Sequence, residues 1–315
     1  MQVERVVVAV ADPEESPQPV IDRAAELAQA AGAKLILFHA VFEPALSARP
    51  LLDSTRLARA RGALVAQRTR DLERRAIPLR QRGLTVQTHV VWEEPAYESI
   101  IRAAIRENAD LVVAGPHARG RTIVPFSFRQ TDWQLLRFCP RPLLMIRTVE
   151  AQPGPVLAAL DPLHLNDKPA SLDAKIMETA SVVAQQLGVE LHVVHSVPDT
   201  LYPLGSTKRS QAEVRKKIGK QLQRSVKKYG VPANRVHVLQ GLPERTLPVF
   251  AEELEARMIV MGAISRRGLK RFAIGDTAER IIDAVPYDVL IVKPDKFKLV
   301  LGRARRQRVI LPKEG

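Results

Sequence analysis

The feature that most constrains the fold of this chain is an internal repeat. Gly32-Ala-Lys-Leu-Ile-Leu-Phe-His39 corresponds to Gly188-Val-Glu-Leu-His-Val-Val-His195 at an offset of 156 residues. His89–Pro95 corresponds to His237–Pro243 at an offset of 148, so the second copy carries small deletions. Because the corresponding segments recur in the same order, the chain is predicted to be two copies of one domain. A length of 315 residues also favours two domains, each able to bury its own core.

Each copy alternates short apolar runs with longer amphipathic ones. This alternation predicts an α/β fold of two tandem Rossmann-like domains, each a five-stranded parallel sheet with helices on both faces. The predicted domains are 1–149 and 150–297, joined at the Pro- and Gly-containing Glu150–Pro155, and a basic tail occupies 298–315. The short runs are Val6–Val10, Leu35–Val41, Val86–Trp92, Leu111–Ala114 and Leu143–Ile146, then Val156–Leu160, Leu191–Val197, Val236–Leu239, Met258–Met261 and Val289–Val292.

The positive charge of the chain is local. Residues 208–228 hold nine Lys/Arg and one Glu, and residues 296–315 hold seven and one, which together account for the whole net charge of +14. In the first segment Val214, Ile218, Leu222 and Val226 recur every fourth residue, which predicts an amphipathic helix with a basic outer surface. Two interpretations stay open: a solvated helix face, or an adaptor surface for anionic polymers or membranes.

The tail, 298–315, has no sustained apolar periodicity and clusters four arginines, so it is predicted to be mobile unless something acidic orders it. The apolar triplet beside the arginine cluster, Val309-Ile-Leu311, offers an anchor, in which case the tail is a structural strap instead.

Several classes of function have no support in the sequence. The single cysteine, Cys139, gives no disulfide framework, and no His/Cys set has metal-ligand spacing. The N-terminus does not resemble a signal peptide and no apolar run spans a membrane, so a cytoplasmic protein is expected. The hydrolase, zinc-protease and P-loop motifs are missing. His39 and His195 occupy equivalent strand ends and are interpreted as packed, hydrogen-bonded side chains. No catalytic residue is assigned, and the chain is expected not to be an enzyme.

A ligand site is expected at the carboxyl ends of the strands, because open parallel sheets bind ligands where the strand order reverses. In the second copy this places Asp161 after the first strand and the loop 262–277 after the fourth. A glycine-containing loop that opens a helix can surround phosphate oxygens with backbone N–H groups. The candidate binding residues are Asp161, Gly262, Ser265, Arg266, Gly275, Asp276 and Thr277.

The same loop resembles the universal stress protein family. The resemblance rests on Val260-Met-Gly-Ala-Ile-Ser-Arg-Arg-Gly-Leu269, Ile274-Gly-Asp-Thr-Ala-Glu-Arg-Ile-Ile282 and Leu290-Ile-Val-Lys-Pro294. It extends over both copies, and Thr131-Asp-Trp-Gln-Leu-Leu-Arg-Phe-Cys-Pro140 is similar to a segment of the tandem E-type members. The resemblance implies a doubly wound fold of the HUP type, a cytoplasmic stress-induced protein, and dimer-like pairing of domains. Nucleotide-binding members have Gly-x2-Gly-x9-Gly followed by Ser or Thr, and an Asp after the first strand near adenine.

The second copy departs from that pattern at two positions. Ser265 replaces the second glycine, and Asp276 replaces the hydroxyl residue. A side chain at 265 restricts the backbone, and a carboxylate at 276 repels phosphate. Arg266 offers partial compensation. ATP binding is therefore expected to be weak, and ATPase activity would require this loop to work. In the first copy Asp12 follows the first strand, but no glycine triplet is in register, which indicates a degenerate structural copy.

These observations favour a non-catalytic stress-response protein that binds ATP, another nucleotide or another small ligand weakly in the second domain. No cofactor is assigned with certainty. The two copies are expected to pair as an intramolecular pseudo-dimer, and a homodimer of the whole chain stays open. The alternative function is an adaptor that binds nucleic acid or an anionic surface through the basic helix and tail.

Overall fold

The chain forms two compact units. The computed structural model describes residues 2–14, 18–47, 54–115, 130–162, 170–202, 207–263 and 275–295, and 297, 299, 301–302, 305–307 and 309–312 near the C-terminus. The first unit comprises residues 2–149 together with 298–315, and the second comprises 150–297. The C-terminal tail therefore belongs to the unit formed by the first copy.

The first unit is an open parallel sheet in the order β3-β2-β1-β4-β5. Val7 of β1 lies opposite Ile36 of β2 and Val112 of β4, so β1 is hydrogen-bonded on both sides and fully buried. The elements are β1 (Arg5–Ala9), α1 (Pro19–Ala31), β2 (Lys34–Val41), α2 (Ser54–Gln81), β3 (Val86–Glu94), α3 (Ala96–Arg106), β4 (Leu111–Ala114), α4 (Gln130–Phe138) and β5 (Leu143–Met145).

The second unit repeats this arrangement in the order β10-β9-β6-β7-β8. Its first strand, β6, again lies between two parallel neighbours, β7 and β9. The predicted doubly wound α/β fold of both copies is confirmed. The elements are β6 (Val156–Ala159), α5 (Ala170–Leu187), β7 (Leu191–Val197), α6 (Lys208–Val226), β8 (Val236–Gln240), α7 (Pro243–Glu253), β9 (Met258–Gly262), α8 (Asp276–Ala284) and β10 (Asp288–Val292). Over the described ranges, no helix is long and apolar enough to cross a membrane.

Matched residues shape the two copies alike. Gly32 and Gly188 follow α1 and α5 with φ of 65° each, the left-handed conformation that glycine adopts most easily after a helix. The histidines that end β2 and β7 are buried and bond to the residue that follows the first strand of their unit. His39 Nδ1 lies 2.9 Å from the Val10 carbonyl oxygen, and His195 Nδ1 lies 3.0 Å from that of Leu160. Because a carbonyl only accepts, each Nδ1 carries the proton, and the interpretation of these histidines as packed and hydrogen-bonded is confirmed.

The basic segment 208–226 is the helix that its periodicity predicts. Ile218, Leu222 and Val226 are buried, whereas Val214, the first member of the predicted stripe, stays 37% exposed. Thr207 caps the helix by accepting a hydrogen bond from the Ser210 N–H.

The tail corrects two expectations. Arg305–Arg306 form a short strand, β11, that pairs antiparallel with Glu93 and Glu94 of β3, so the first unit has a sixth strand. The prediction of a mobile arm is wrong for the described tail residues, and the strap interpretation, anchored at the Val309 triplet, describes them. The earlier prediction failed because a local search for periodicity cannot detect a partner about two hundred residues away.

We expect the stability of the chain to fall on acidification in part through His39. Burial lowers the pKa of His39 below its ordinary value of about 6.5. The unfolded chain then binds a proton first as the pH falls below 6.5, and each affected group removes up to about 1.4 kcal/mol of unfolding free energy per pH unit.

A His39→Leu variant isolates this contribution. Loss of one hydrogen bond should lower its unfolding free energy by about 1 kcal/mol at pH 8. The variant also lacks the group that titrates. Urea unfolding between pH 8 and pH 5 should therefore show the wild-type free energy falling more steeply than that of the variant. Parallel curves would contradict the assignment.

Candidate ligand site in the second unit

A cavity of about 440 Å³ opens at the carboxyl edge of the second sheet. It lies where the strand order reverses, between the ends of β6 and β9, which is the expected place for a ligand in this architecture. Residues that follow β7 and residues in the first turns of α7 and α8 complete its wall. Its volume lies within the range of small-molecule sites, roughly 300–1,000 Å³.

Asp161 is the distinctive polar group of this cavity. Its backbone N–H donates to Asp173 Oδ1 at 3.3 Å, which holds the start of the loop after β6 against α5. Its own Oδ1 is buried and has no hydrogen-bond partner among the described residues. A buried carboxylate oxygen without a donor is costly, so Asp161 offers an unfilled acceptor to a ligand.

Most of the wall is apolar. Buried side chains from the strands and from α7 and α8 line it, and Leu201 and Leu242, which also contribute, are 37% and 42% exposed. The described lining includes no Lys or Arg, and its carboxylates are those of Asp161 and Glu244. Glu244 is paired with Arg280 Nη1 at 3.2 Å. The buried lining side chains are Leu160, Val194, Leu247, Met261, Ala278 and Ile281.

The two described glycines of the site have different reasons to be glycine. A Cβ on Gly262 would lie 2.8 Å from Leu172 Cδ2 and 3.1 Å from Ile176 Cδ1, so the absent side chain lets α5 pack on the end of β9. Gly275 caps α8 with φ −59° and ψ 140°, a conformation open to any residue. Close packing therefore explains Gly262 without a ligand.

The model of the universal stress protein family matches residues 2–147 and 156–293. The chain belongs to the universal stress protein family. It is 30% identical to Universal stress protein E of Escherichia coli K12 over 93% of this chain and 95% of that protein. The same protein of Photorhabdus laumondii is 28% identical over 95% and 98%. A crystal structure of a putative universal stress protein from Pseudomonas aeruginosa UCBPP-PA14 is 26% identical, covers 93% and 94%, and superposes with a TM-score of 0.69.

The structure of this universal stress protein brings four predicted site residues to one cavity. Asp161, Gly262, Gly275 and Thr277 all line it, and Asp276 begins α8. Ser265 and Arg266 lie outside the described residues, so their predicted contacts are untested. Sequence reasoning missed the lining residues that follow β7 and β8, such as Leu201 and Glu244. Their signal was the same as that of Asp161, a position just after the carboxyl end of a strand.

In the first unit of this tandem universal stress protein, side chains of α2 bind the loop that follows the first strand. Arg68 Nη1 of α2 lies 3.3 Å from Asp12 Oδ1, 3.0 Å from Glu14 Oε2 and 3.6 Å from Asp71 Oδ2. Arg75 donates to the Pro13 carbonyl at 2.9 Å. The loop after β1 is thereby bound to α2, and Asp12 already has the cation that Asp161 lacks in the described part of its site.

Substitution of Gly262 should reduce stability whether or not a ligand binds. Gly262→Ala requires a small shift of the Leu172 side chain, whereas Gly262→Val forces α5 away from β9 and should lower the unfolding free energy by about 1–3 kcal/mol. Denaturant unfolding of the ligand-free variants checks this order. Equal stability of all three proteins would show that Gly262 is not required for packing.

Proposed function

We propose that this chain is a cytoplasmic, non-catalytic stress-response protein whose second unit weakly binds a nucleotide or another small ligand. The observation that carries the proposal is Asp161, which lines a cavity of about 440 Å³ and whose buried Oδ1 has no hydrogen-bond partner among the described residues. Membership of the universal stress protein family supports the stress-response assignment.

The chemistry of the described wall indicates which part of a ligand it would hold. Asp161 requires an N–H or O–H donor, and the apolar side chains favour a flat or aliphatic body. A nucleobase or nucleoside satisfies both conditions. Negative charge close to Asp161 and Glu244 would be repelled. The phosphates of a nucleotide would therefore depend on the loop 264–274, which lies outside the described residues.

Three observations support a binding role rather than catalysis. The Ser196 hydroxyl lies 2.8 Å from the Thr246 hydroxyl, where it serves to join β7 and α7. His195 uses Nδ1 to hold the Leu160 carbonyl. Within the described part of the chain, no group of three or more His, Cys, Asp or Glu side chains has the arrangement of a metal site.

The adaptor alternative retains one support, the exposed basic face of α6. The exposed cations include Lys216, Lys217, Lys220 and Arg224. The acidic residue of this helix, Glu213, pairs with Arg209 at 3.7 Å. A steep fall of nucleic-acid affinity with salt would favour this alternative, since phosphate contacts release counterions. The tail no longer supports it as a free arm. The pairing of the two copies as a pseudo-dimer, and a homodimer of the chain, stay predictions.

The role of Asp161 is tested by native mass spectrometry of the freshly purified full-length chain, which identifies a co-purified ligand by its mass. Asp161→Asn removes the charged acceptor. A hydrogen bond to a charged group contributes about 1.5–3 kcal/mol, so the substitution should weaken binding roughly tenfold to more than a hundredfold.

Asp12→Asn is the matched control, because it alters a carboxylate in the loop that follows the first strand of the first unit, where Arg68 already pairs with it. It should leave ligand binding unchanged. Equal loss of the ligand in both variants, or retention in Asp161→Asn, would contradict the placement of the site.

ATP itself should bind weakly. Because Ser265 and Asp276 depart from the nucleotide-binding pattern, isothermal titration calorimetry should give a dissociation constant well above about 1 μM. The paired substitution Ser265→Gly with Asp276→Ser should strengthen binding by restoring the loop and removing a negative charge. Micromolar or tighter binding by the natural chain would refute this expectation.

A further inference from the structure

The first unit holds described residues of the C-terminal tail in a groove by specific contacts. We call this the tail groove and define it by Ser47, Trp92–Glu94 and Glu98, and by Ala58 and Gly62 of α2. At one end, Glu98 Oε1 accepts from the Gly302 N–H at 3.2 Å, and Arg102 donates to the Gly302 carbonyl at 2.8 Å. Side chains of α3 therefore satisfy both the N–H and the carbonyl of Gly302. Glu98, one of these side chains, is buried.

The next contact is made by the backbone. Arg305 pairs with Glu94 and Arg306 with Glu93, and β11 thereby covers the open edge of β3. Addition of an extended segment to a sheet edge is a general mode of peptide recognition, in which backbone bonds supply affinity and side-chain pockets supply specificity.

Gln307 and Val309 supply the side-chain specificity. Gln307 accepts from the Trp92 indole N–H at 3.1 Å and donates to the Ser47 carbonyl at 3.3 Å and hydroxyl at 3.0 Å, so the groove recognises both ends of the amide. Val309 packs on the apolar cluster of Val41, Val65 and Trp92. A charged or shorter residue at either tail position would lose these contacts.

Gly62 determines how closely the tail approaches α2. The Ile310 N–H donates to the Ala58 carbonyl at 3.0 Å, and a Cβ on Gly62 would lie only 1.6 Å from the Ile310 oxygen. Gly62 is inside a helix, where glycine costs up to about 1 kcal/mol relative to alanine. The tail occupies the space that this missing side chain leaves.

We propose that the first unit is a peptide-binding module: the tail groove takes an extended basic segment with Gln and, two residues later, Val. Its resident ligand is the tail of the same chain, and the same segment of a second copy binds when the resident one is displaced. The second copy is the occupant because its tail is identical in sequence. The acidic residues Glu93, Glu94 and Glu98 suit a segment that carries four arginines. Exchange of an identical element is a low-cost route to dimers.

Complementation between two full-length variants tests the proposal. The groove variant, Gly62→Ala, keeps an intact tail but blocks its own groove. The tail variant, Gln307→Ala with Val309→Asp, keeps an intact groove but loses the side chains that the groove recognises. An equimolar mixture, one partner isotopically labelled, should form heterodimers in excess over the homodimers of either variant, measured by native mass spectrometry up to about 1 mM. This concentration matches, to order of magnitude, the effective concentration of about 1 mM at which a covalent link presents a chain's own tail to its groove.

Limited proteolysis reports on the tail in each protein separately. The tail should be cleaved faster in both variants than in the natural chain. Gly219→Ala is the matched control, because it also changes a helical glycine, and its Cβ would lie 3.6 Å from Val238 Cγ2, an ordinary contact. Its tail should stay protected. Equal cleavage in the Gly62→Ala and Gly219→Ala proteins would overturn the role of Gly62 in the tail groove.

A synthetic peptide of residues 299–312 gives a readout that does not depend on the folding of the groove variant. It should bind the tail variant and change Trp92 fluorescence, with Trp133→Phe introduced so that Trp92 is the single tryptophan. The same peptide with the two tail substitutions should bind at least tenfold more weakly. Failure of the natural-sequence peptide to bind, or absence of mixture-specific heterodimers with both variants folded, would overturn the proposal.

Discussion

Each unit depends on its first strand, which is hydrogen-bonded to a parallel strand on both sides and buried on both faces. Val6–Val8 in β1 are fully buried, as are Val156–Ala158 in β6. Parallel pairing places the carboxyl ends of these strands and of their neighbours at one edge of the sheet, and the chain leaves to opposite sides at this point. The residue that follows the first strand is therefore held at the crevice in both copies, and His39 and His195 fasten the adjacent carbonyl to the second strand.

The two copies use this shared position differently. Arg68 of the long helix α2 reaches Asp12 and pairs with it within the first unit. In the second unit Asp161 lines a cavity, and its Oδ1 has no hydrogen-bond partner among the described residues. The same fold thus pairs a carboxylate of the loop that follows the first strand with α2 in one copy and holds a candidate ligand site in the other. This difference agrees with a general property of folds, which position a site without deciding its chemistry.

The tail shows how charge and local pattern can mislead. Four arginines and a lack of periodicity are typical of a disordered segment, but order here comes from a sheet edge, an amide pocket and a helical glycine. None of these contacts is local, since Gln307 and its partner Trp92 are 215 residues apart in the chain. The arginines contribute backbone pairs at the described positions, and backbone pairing leaves little trace in composition.

The sequence by itself determined the repeat, the order of strands and helices, the family and the position of Asp161 at the carboxyl edge. These properties are periodic or depend on chain order, and both can be read within short windows. Only the tertiary structure decided that Gly262 packs against α5, that Arg68 pairs with Asp12, and that the tail belongs to the first unit. Each of these outcomes depends on which residues distant in sequence come into contact, and burial and backbone pairing in the folded chain determine those contacts.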